Sequence, residues 1–391
     1  MSFYEKMGLK PLINASETYT NLGGSLMAEE TLDAMRQAGH SFVDMGKLMD
    51  SVCARAATLT RNEAAFVTSG AAAGVILSAA SALCGLDESL HDRLPFTGNF
   101  PKNRILIFDG AYRSMIPYWR LIAMTGATIV PVAPNVEAML AAADEKCAAA
   151  FLFAGSLYEK DVPCCEEAIP KLKAAGLTVV VDAAAQLPPA SNLWHYTREL
   201  GADLAVFSGG KHIRGPQSTG LIVGRGDLVA GCRMSACPNP RIGRAFKTGK
   251  EELAGFITAL ELFLADDGRY ARQLEMLETL RGLLKEGAKL AARIVSEGRL
   301  GTEQPLLIAT LPEGVSAKEV NERTRTLPRP IDVGVYPPEF GMPENTMFLN
   351  AYNLSPGEVE TVARAVCDQV NALRKEGFQW GRLRIGWRRW A

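Results

Sequence analysis

Residues 207–220 read FSGGKHIRGPQSTG, which sets Lys211 behind two glycines and ahead of Gly215-Pro216. A solvated turn lysine needs neither feature. Glycines at 209 and 210 let the backbone come close to a ligand, and Gly-Pro stiffens the next turn. An amine held in this way can form a Schiff base with a carbonyl compound. Twenty-nine residues earlier, Asp182 ends the run TVVVD. A carboxylate at the end of a buried strand is costly unless a cation or hydrogen bonds meet it; capping a following helix is the alternative role. If the extended run continues, Ala184 shares the face of Asp182 and leaves a flat, small surface beside the carboxylate. Third, Thr68-Ser69-Gly70-Ala71-Ala72 joins a strand to a helix. Free backbone N–H groups, the helix dipole and the Ser69 hydroxyl can hold a phosphate there, although close packing explains the small residues equally well.

Phosphate cup, strand-end aspartate and glycine-flanked lysine together describe a site for pyridoxal 5'-phosphate (PLP). Lys211 would hold the aldehyde, and Asp182 would keep the ring nitrogen protonated so that the ring accepts electrons when the substrate Cα loses its proton. Once freed, Lys211 is the natural base for that proton. The implied partner is a small-molecule amine substrate.

These residues need a sheet to position them. Apolar runs recur at Ala64–Thr68, Arg104–Phe108, Thr128–Val132, Ala149–Phe153, Thr178–Asp182, Asp203–Phe207 and Thr219–Val223, with helical patterns between most of them. Seven short strands, most buried on both faces, predict a mainly parallel sheet in an α/β domain, whose ligands bind beyond the carboxyl ends of the strands. The stretch between Phe207 and Thr219 is too short for a crossover helix, so the last strand is expected antiparallel. Residues 249–298 turn helical and lead into a smaller domain. There we expect a strand near Leu306–Leu311, a helix from Ser316, a strand near Met347–Ala351 and a helix from Pro356. Five prolines in residues 326–345 predict an irregular loop. The expected division is an arm over residues 1–35, a large domain over 36–255 and a small domain over 256–391, the last together with the arm.

Bulk properties exclude several classes. The chain has 391 residues, 48% hydrophobic content and a net charge of −1, which suits a globular protein and gives no electrostatic reason to expect nucleic acid or an anionic membrane. The N-terminus lacks the apolar stretch of a secretory signal, so a cytoplasmic location is expected. Eight cysteines without framework spacing read as reduced thiols, and four histidines show no metal-ligand spacing. Residues 64–86 carry no charge, but Thr68-Ser69-Gly70 interrupts them, so they read as strand, turn and buried helix rather than a membrane span.

The stretch GADLAVFSGGKHIRGPQSTGLIVGR resembles the PLP segment of fold-type I enzymes of the bacterial selenocysteine synthase-like family, in the branch that contains D-glucosaminate-6-phosphate ammonia-lyase. LKPLINASETYTNLGGSLM, AAFVTSGAAAGV, VVVDAAAQLPP and FKTGKEELAGFITALE agree, in the right order across most of the chain. The resemblance implies a PLP-dependent transferase-like fold, with Lys211 as the Schiff-base lysine and Asp182 as the pyridinium partner. It makes Ser69, Gly70, Ala71 and Ser208 phosphate contacts, and it has Gln217 reach the cofactor phosphate of a neighbouring subunit, hence a homodimer or larger assembly. Tyr112 falls where relatives tend to carry a histidine near the ring face.

Two departures from the pattern stand out. Glu17 stands where a small residue is expected in the N-terminal block, an arm that in the family usually borders the active site, so Glu17 and Thr20 are candidate substrate contacts. Relatives tend to offer an arginine near the C-terminus for the substrate carboxylate, where this chain has Asn350 and Asn353; Arg113, Arg214, Arg244 and, less directly, Arg329 are the candidate substitutes, and His212 is a candidate substrate contact. The tail QWGRLRIGWRRWA is expected to pack its tryptophans on the body or on a partner while its arginines stay solvated.

The leading reading is a PLP-dependent lyase that removes the α-proton of an amino acid or amino sugar acid and expels a β-substituent, giving a 2-keto product and ammonia. A β-replacement enzyme, racemase or aldolase would use the same intermediate. A selenium transferase acting on aminoacyl-tRNA is disfavoured, because LKPLINAS begins at Leu9 and leaves no room for the additional N-terminal tRNA-binding region of the bacterial synthases.

Overall fold

The computed structural model describes residues 3–114, 117–155 and 162–387, with side chains to residue 376 apart from that of residue 339. The side chains of the Trp/Arg-rich tail, on which the packing expectation rests, lie outside the described residues. The chain divides into two compact units: Gly23–Asp266 with Arg299–Thr302, and Met1–Leu22 with Asp267–Gly298 and Glu303–Ala391. These limits depart from the expected ones near residues 35 and 255. The helix Glu29–Gly39 lies along the helix Lys250–Ala265, where a Cβ on Gly255 would stand 2.7 Å from the Met35 Cγ, and the Lys250 Nζ donates to the Ala38 carbonyl at 2.6 Å. Both helices therefore belong to the larger unit.

Strand β1 (Ile13–Ala15) belongs to the smaller unit. The larger unit holds β2 (Ala64–Thr68), β3 (Arg104–Phe108), β4 (Thr128–Val132), β5 (Cys147–Phe153), β6 (Val179–Asp182), β7 (Leu204–Ser208) and β8 (Gly220–Gly224), ordered β2-β8-β7-β6-β5-β3-β4. All pairings are parallel except those of β8, which runs antiparallel to both β2 and β7. The short connection after β7 thus returns the chain into the same sheet between β7 and β2. Central residues such as Phe151, Val180 and Val206 are fully buried, as expected of strands covered on both faces. The uncharged stretch 64–86 forms β2 and the buried helix Ala71–Cys84. Among the described residues, no helix is long and apolar enough to cross a membrane.

The smaller unit carries β9 (Ala291–Val295), β10 (Leu306–Thr310), β11 (Ile331–Val335) and β12 (Thr346–Leu349), ordered β1-β11-β12-β10-β9. Its core joins Leu277, Leu280 and Leu284 to Val362, Val366 and Val370, each set at helical spacing along one of two helices. Ser316 caps the helix Ala317–Arg325 by accepting from the Glu319 N–H at 3.1 Å, and a short 3-10 turn at Pro356–Glu358 leads into the last helix. Two expectations are corrected. The helical region stops at Ala288, and AARIV forms edge strand β9 against β10. The proline-rich segment is not wholly irregular: IDVGV, between Pro330 and Pro337, is proline-free and pairs with β1 and β12.

The start of β8 is pressed against the turn after β2. A Cβ on Gly220 would stand 2.5 Å from the Ala71 nitrogen and still closer to the Gly70 carbonyl carbon. Backbone atoms cannot yield as a flexible side chain can, so Gly220→Ala is expected to cost about 1–3 kcal/mol. The shift of the urea unfolding midpoint measures this, and an unchanged midpoint would show that the turn gives way freely.

Candidate active site

The carboxyl ends of β2, β6 and β7 lie on one edge of the sheet, with the start of β8 between two of them: Thr68 and Ser208 are both register partners of Gly220. Adjacent strands are about 4.8 Å apart, so the turns after β2 and β7 are separated by roughly 10 Å. Ser69, Gly70 and Ala71 occupy the first turn. Gly70 has φ +92°, a Cβ there would meet nothing within 4 Å, and no side chain caps the helix that follows. The first N–H groups of a helix lack intrahelical partners, so this turn offers donors beside open space. Ser208, half-buried, ends β7 on the same edge.

Asp182 is the last residue of β6. The extended run stops there, contrary to the expectation that Ala184 continues it: Ala184 enters a turn, and its N–H donates to the Asp182 Oδ1 at 3.1 Å. This is aspartate acting as a turn former, not as the cap of a helix. Burial pushes the carboxyl above its ordinary 3.8, while the Ala184 hydrogen bond and then the Lys211 charge pull it back. A desolvated carboxylate within the field of a lysine, opposite a turn rich in unused N–H donors, is a set that complements a cation and a phosphate on one planar molecule. Both ends of PLP therefore find matching chemistry.

Lys211 is half-buried in a loop packed against the helix Lys250–Ala265. A Cβ on Gly209 would stand 2.9 Å from the Phe256 ring, and one on Gly215 would be 3.5 Å from the Ala259 Cβ. The Gly215 N–H closes the loop on the Gly209 carbonyl at 2.8 Å. His212 is buried, whereas Gln217 is exposed and lies along Gly23 and Gly24.

The remaining candidates are dispersed. Tyr112 stacks on Trp119 with ring centroids 4.6 Å apart, and its carbonyl accepts from the Trp119 Nε1 at 3.0 Å. Arg113 is exposed and pairs with Asp109 at 2.8 Å. Arg214 has φ +60° and donates from Nε to the Leu26 carbonyl at 2.8 Å. Arg244 is exposed, with Nη1 3.5 Å from the Cys237 sulfur. In the smaller unit, Arg329 pairs with Glu358 at 2.6 Å and Thr20 is exposed in a 3-10 turn. Glu17 is held there by polar neighbours: its Oε1 accepts from the Thr18 N–H at 3.2 Å and the Asn350 Nδ2 at 3.4 Å, and Asn350 in turn accepts from Gln304 at 3.0 Å. Asn353 is buried.

Two residues escaped the reading of the sequence. Tyr118 is about half exposed, at 45%, yet partial desolvation, and secondarily the Asp182 carboxylate, raises its phenol above its ordinary value, which puts Tyr118 within the field of Asp182. Ser25 donates to the carbonyls of Gly210 at 3.1 Å and Lys211 at 2.7 Å. The glycine pair at 23 and 24 was a usable signal for the second; nothing in the sequence singled out the first.

The raised Asp182 carboxyl fixes the sign of a stability effect. The unfolded chain ionises this group at a lower pH than the folded one, so ionisation opposes folding above that window and is neutral below it. Asp182→Asn keeps the acceptor for Ala184. It is expected to raise the melting temperature of cofactor-stripped protein by roughly 2–4 °C at neutral pH. The difference should close as the pH falls through the Asp182 titration; a variant that melts lower at neutral pH would contradict a desolvation cost.

Comparison with known proteins completes the description. Residues 162–308 match the family described as SelA, L-seryl-tRNA selenium transferase. A 5'-C-glycyluridine monooxygenase-decarboxylase from Streptomyces sp. is 31% identical over 376 residues, 93% of this chain and 88% of the relative. D-glucosaminate-6-phosphate ammonia lyase from Salmonella typhimurium (strain 14028s / SGSC 2262) is 29% identical over 265 residues, 66% of this chain and 69% of the relative. The solved structure of a D-glucosaminate-6-phosphate ammonia-lyase superposes with a TM-score of 0.80 at 23% identity, covering 96% of this chain and 99% of the other. A turn of free donors, a half-buried strand-end aspartate and a glycine-flanked lysine on one sheet edge, in a chain alike to these relatives over most of its length, make it a member of the selenocysteine synthase-like family of fold-type I PLP-dependent enzymes.

Proposed function

We propose that this enzyme is a lyase which takes the α-proton from an amino acid or amino sugar acid and expels a β-substituent, releasing a 2-keto product and ammonia. The observation that carries the reading is the placement of Asp182 and Lys211 at the carboxyl ends of the adjacent parallel strands β6 and β7, on the sheet edge that also carries the donor-rich turn after β2. When bound, PLP supplies an electron-accepting ring. Lys211 holds it through Nζ and then takes the proton at the substrate Cα; Asp182 holds the proton at the ring nitrogen. Ser69, Gly70, Ala71 and Ser208 bind the phosphate on the edge they share. Ala184, turned away from the extended run, serves Asp182 through its N–H, and Tyr118 joins Tyr112 as a candidate for the surroundings of the ring.

Of the candidate arginines, Arg113 and Arg329 are spent on ion pairs. Arg244 has no carboxylate partner among the described residues, and we assign it to the substrate carboxylate. Exposed Gln217 suits a contact to a neighbouring subunit's phosphate, and with it a homo-oligomer. The eight cysteines are all free, which suits a reducing cytoplasm. Buried His212, next to Lys211, is assigned to the surroundings of the substrate.

The Streptomyces relative, matched over more of the chain than the Salmonella one, favours a second reading. Here the same proton removal precedes reaction with dioxygen: the amino acid and O2 give an amide, CO2 and water, with the Cα–carboxylate bond broken and one oxygen atom left on carbon.

The purified protein is expected to be yellow, and Lys211→Ala to abolish the borohydride-reducible linkage; a colourless protein that takes up no PLP refutes the assignment. A screen of amino acids and amino sugar acids should show keto acid and ammonia in equal amounts, with or without oxygen. Oxygen-dependent CO2 release would instead establish the second reading. Arg244→Gln is expected to raise KM about tenfold with kcat nearly unchanged, as for loss of a charge-assisted contact made equally in ground and transition states.

A further inference from the structure

Lys211 sits under a strap formed by residues far away in the sequence. Gly24, at φ +77°, passes so close to the lysine loop that a Cβ would stand 2.5 Å from the Gly210 carbonyl oxygen and 3.4 Å from the Gln217 Cγ. Ser25 donates from Oγ to the Gly210 carbonyl at 3.1 Å and the Lys211 carbonyl at 2.7 Å. Leu26 accepts from the Arg214 Nε at 2.8 Å. The strap therefore grips the loop before, at and after the lysine.

The Lys211 carbonyl is also the acceptor of the Arg214 N–H at 3.0 Å. A carbonyl oxygen has two lone pairs; here one receives Arg214 from within the loop and the other Ser25 from the strap. Arg214 holds a positive φ of +60°, which non-glycine residues adopt rarely. The strap meets this residue directly through Leu26, so the unusual turn after the lysine is supported from outside. A hydroxyl is well suited to the middle position: it is small enough to follow Gly24, and it rotates to share its proton between neighbouring carbonyls.

We propose that Ser25 is a positioning residue for Lys211, fixing the backbone from which the amine reaches and regains its place at the cofactor. This rests on the reading of Lys211 as the residue that holds PLP. Ser25 touches no reacting atom. Its effect passes through the Lys211 carbonyl, and a displacement of the order of 1 Å at a reacting amine is enough to slow chemistry by up to about 10²-fold.

The test compares the full chain with Ser25→Ala, which removes the donor, and Ser25→Thr, which keeps it. Two quantities are read on protein stripped of cofactor: hydrogen exchange of the backbone amides in residues 209–215, and the rate at which added PLP forms a borohydride-reducible linkage. Ser25→Ala is expected to speed exchange about tenfold and to slow linkage formation about tenfold, with the urea midpoint little changed. Ser25→Thr should stay within about twofold of the parent in both. Should the alanine variant not fold, Ser25→Cys, a weak donor, is read in the same way. Parent-like exchange and linkage rate in Ser25→Ala, or equal impairment in Ser25→Thr, would overturn the proposal. A parent protein that takes up no PLP would show instead that the cofactor reading fails, a result visible without any variant.

Discussion

The Asp182 carboxylate is half-buried and desolvated at the end of a strand whose other residues are wholly apolar, and its neighbours offset part of that desolvation. The Ala184 N–H and the Lys211 charge offset part of the desolvation without eliminating it. A group kept in this condition favours the arrival of a positive charge, because a cation regains what water no longer provides. On the proposed assignment, Asp182 at the end of β6 would hold the proton at the ring nitrogen and the donor-rich turn after β2 would hold the phosphate, with β8 and β7 lying between those two strands.

That distance can be met only because the backbone is allowed to crowd. Gly220 brings the start of β8 against Gly70 and Ala71, while Gly209 admits the Phe256 ring. At these positions the absence of a side chain is the structural contribution, and it explains the clustering of glycines around a lysine better than flexibility does. The loop is packed on the helix Lys250–Ala265 below and strapped by Gly24 and Ser25. A lysine that must release and recapture a partner needs a side chain that moves on a backbone that does not.

The sequence made the larger sheet legible because each strand there is a short, closed apolar run. The antiparallel entry of β8 could be deduced from the length of its connection alone. Where periodicity spoke less clearly, the reading failed in identifiable ways. AARIV follows a long charged helical segment and was absorbed into it. IDVGV was hidden by prolines on both sides, although those prolines mark its ends. At the site, Lys211, Asp182 and the turn after β2 could be read because each is anomalous in its own local context. The Ser25 bond to Lys211, across 186 residues, and the approach of Tyr118 to Asp182 have no local signature, since the identity of a carbonyl's or a carboxylate's distant neighbour is a product of the fold. Tyr112 shows the converse: its position in a motif drew attention to a ring that the structure stacks on Trp119.

The relatives differ in chemistry more than in architecture, and the geometry of this site accounts for that. In the proposed reading, Asp182 and Lys211 would together supply one capability, removal of a proton from a carbon next to an amine. Whether a β-substituent then departs or dioxygen reacts depends on what is attached to the neighbouring carbon and on which molecules reach it. Those factors would be set by the residues around the substrate rather than by the Asp182 and Lys211 pair. Selection of substrate and outcome is thereby separated from the shared catalytic step, which is how one fold hosts several reactions.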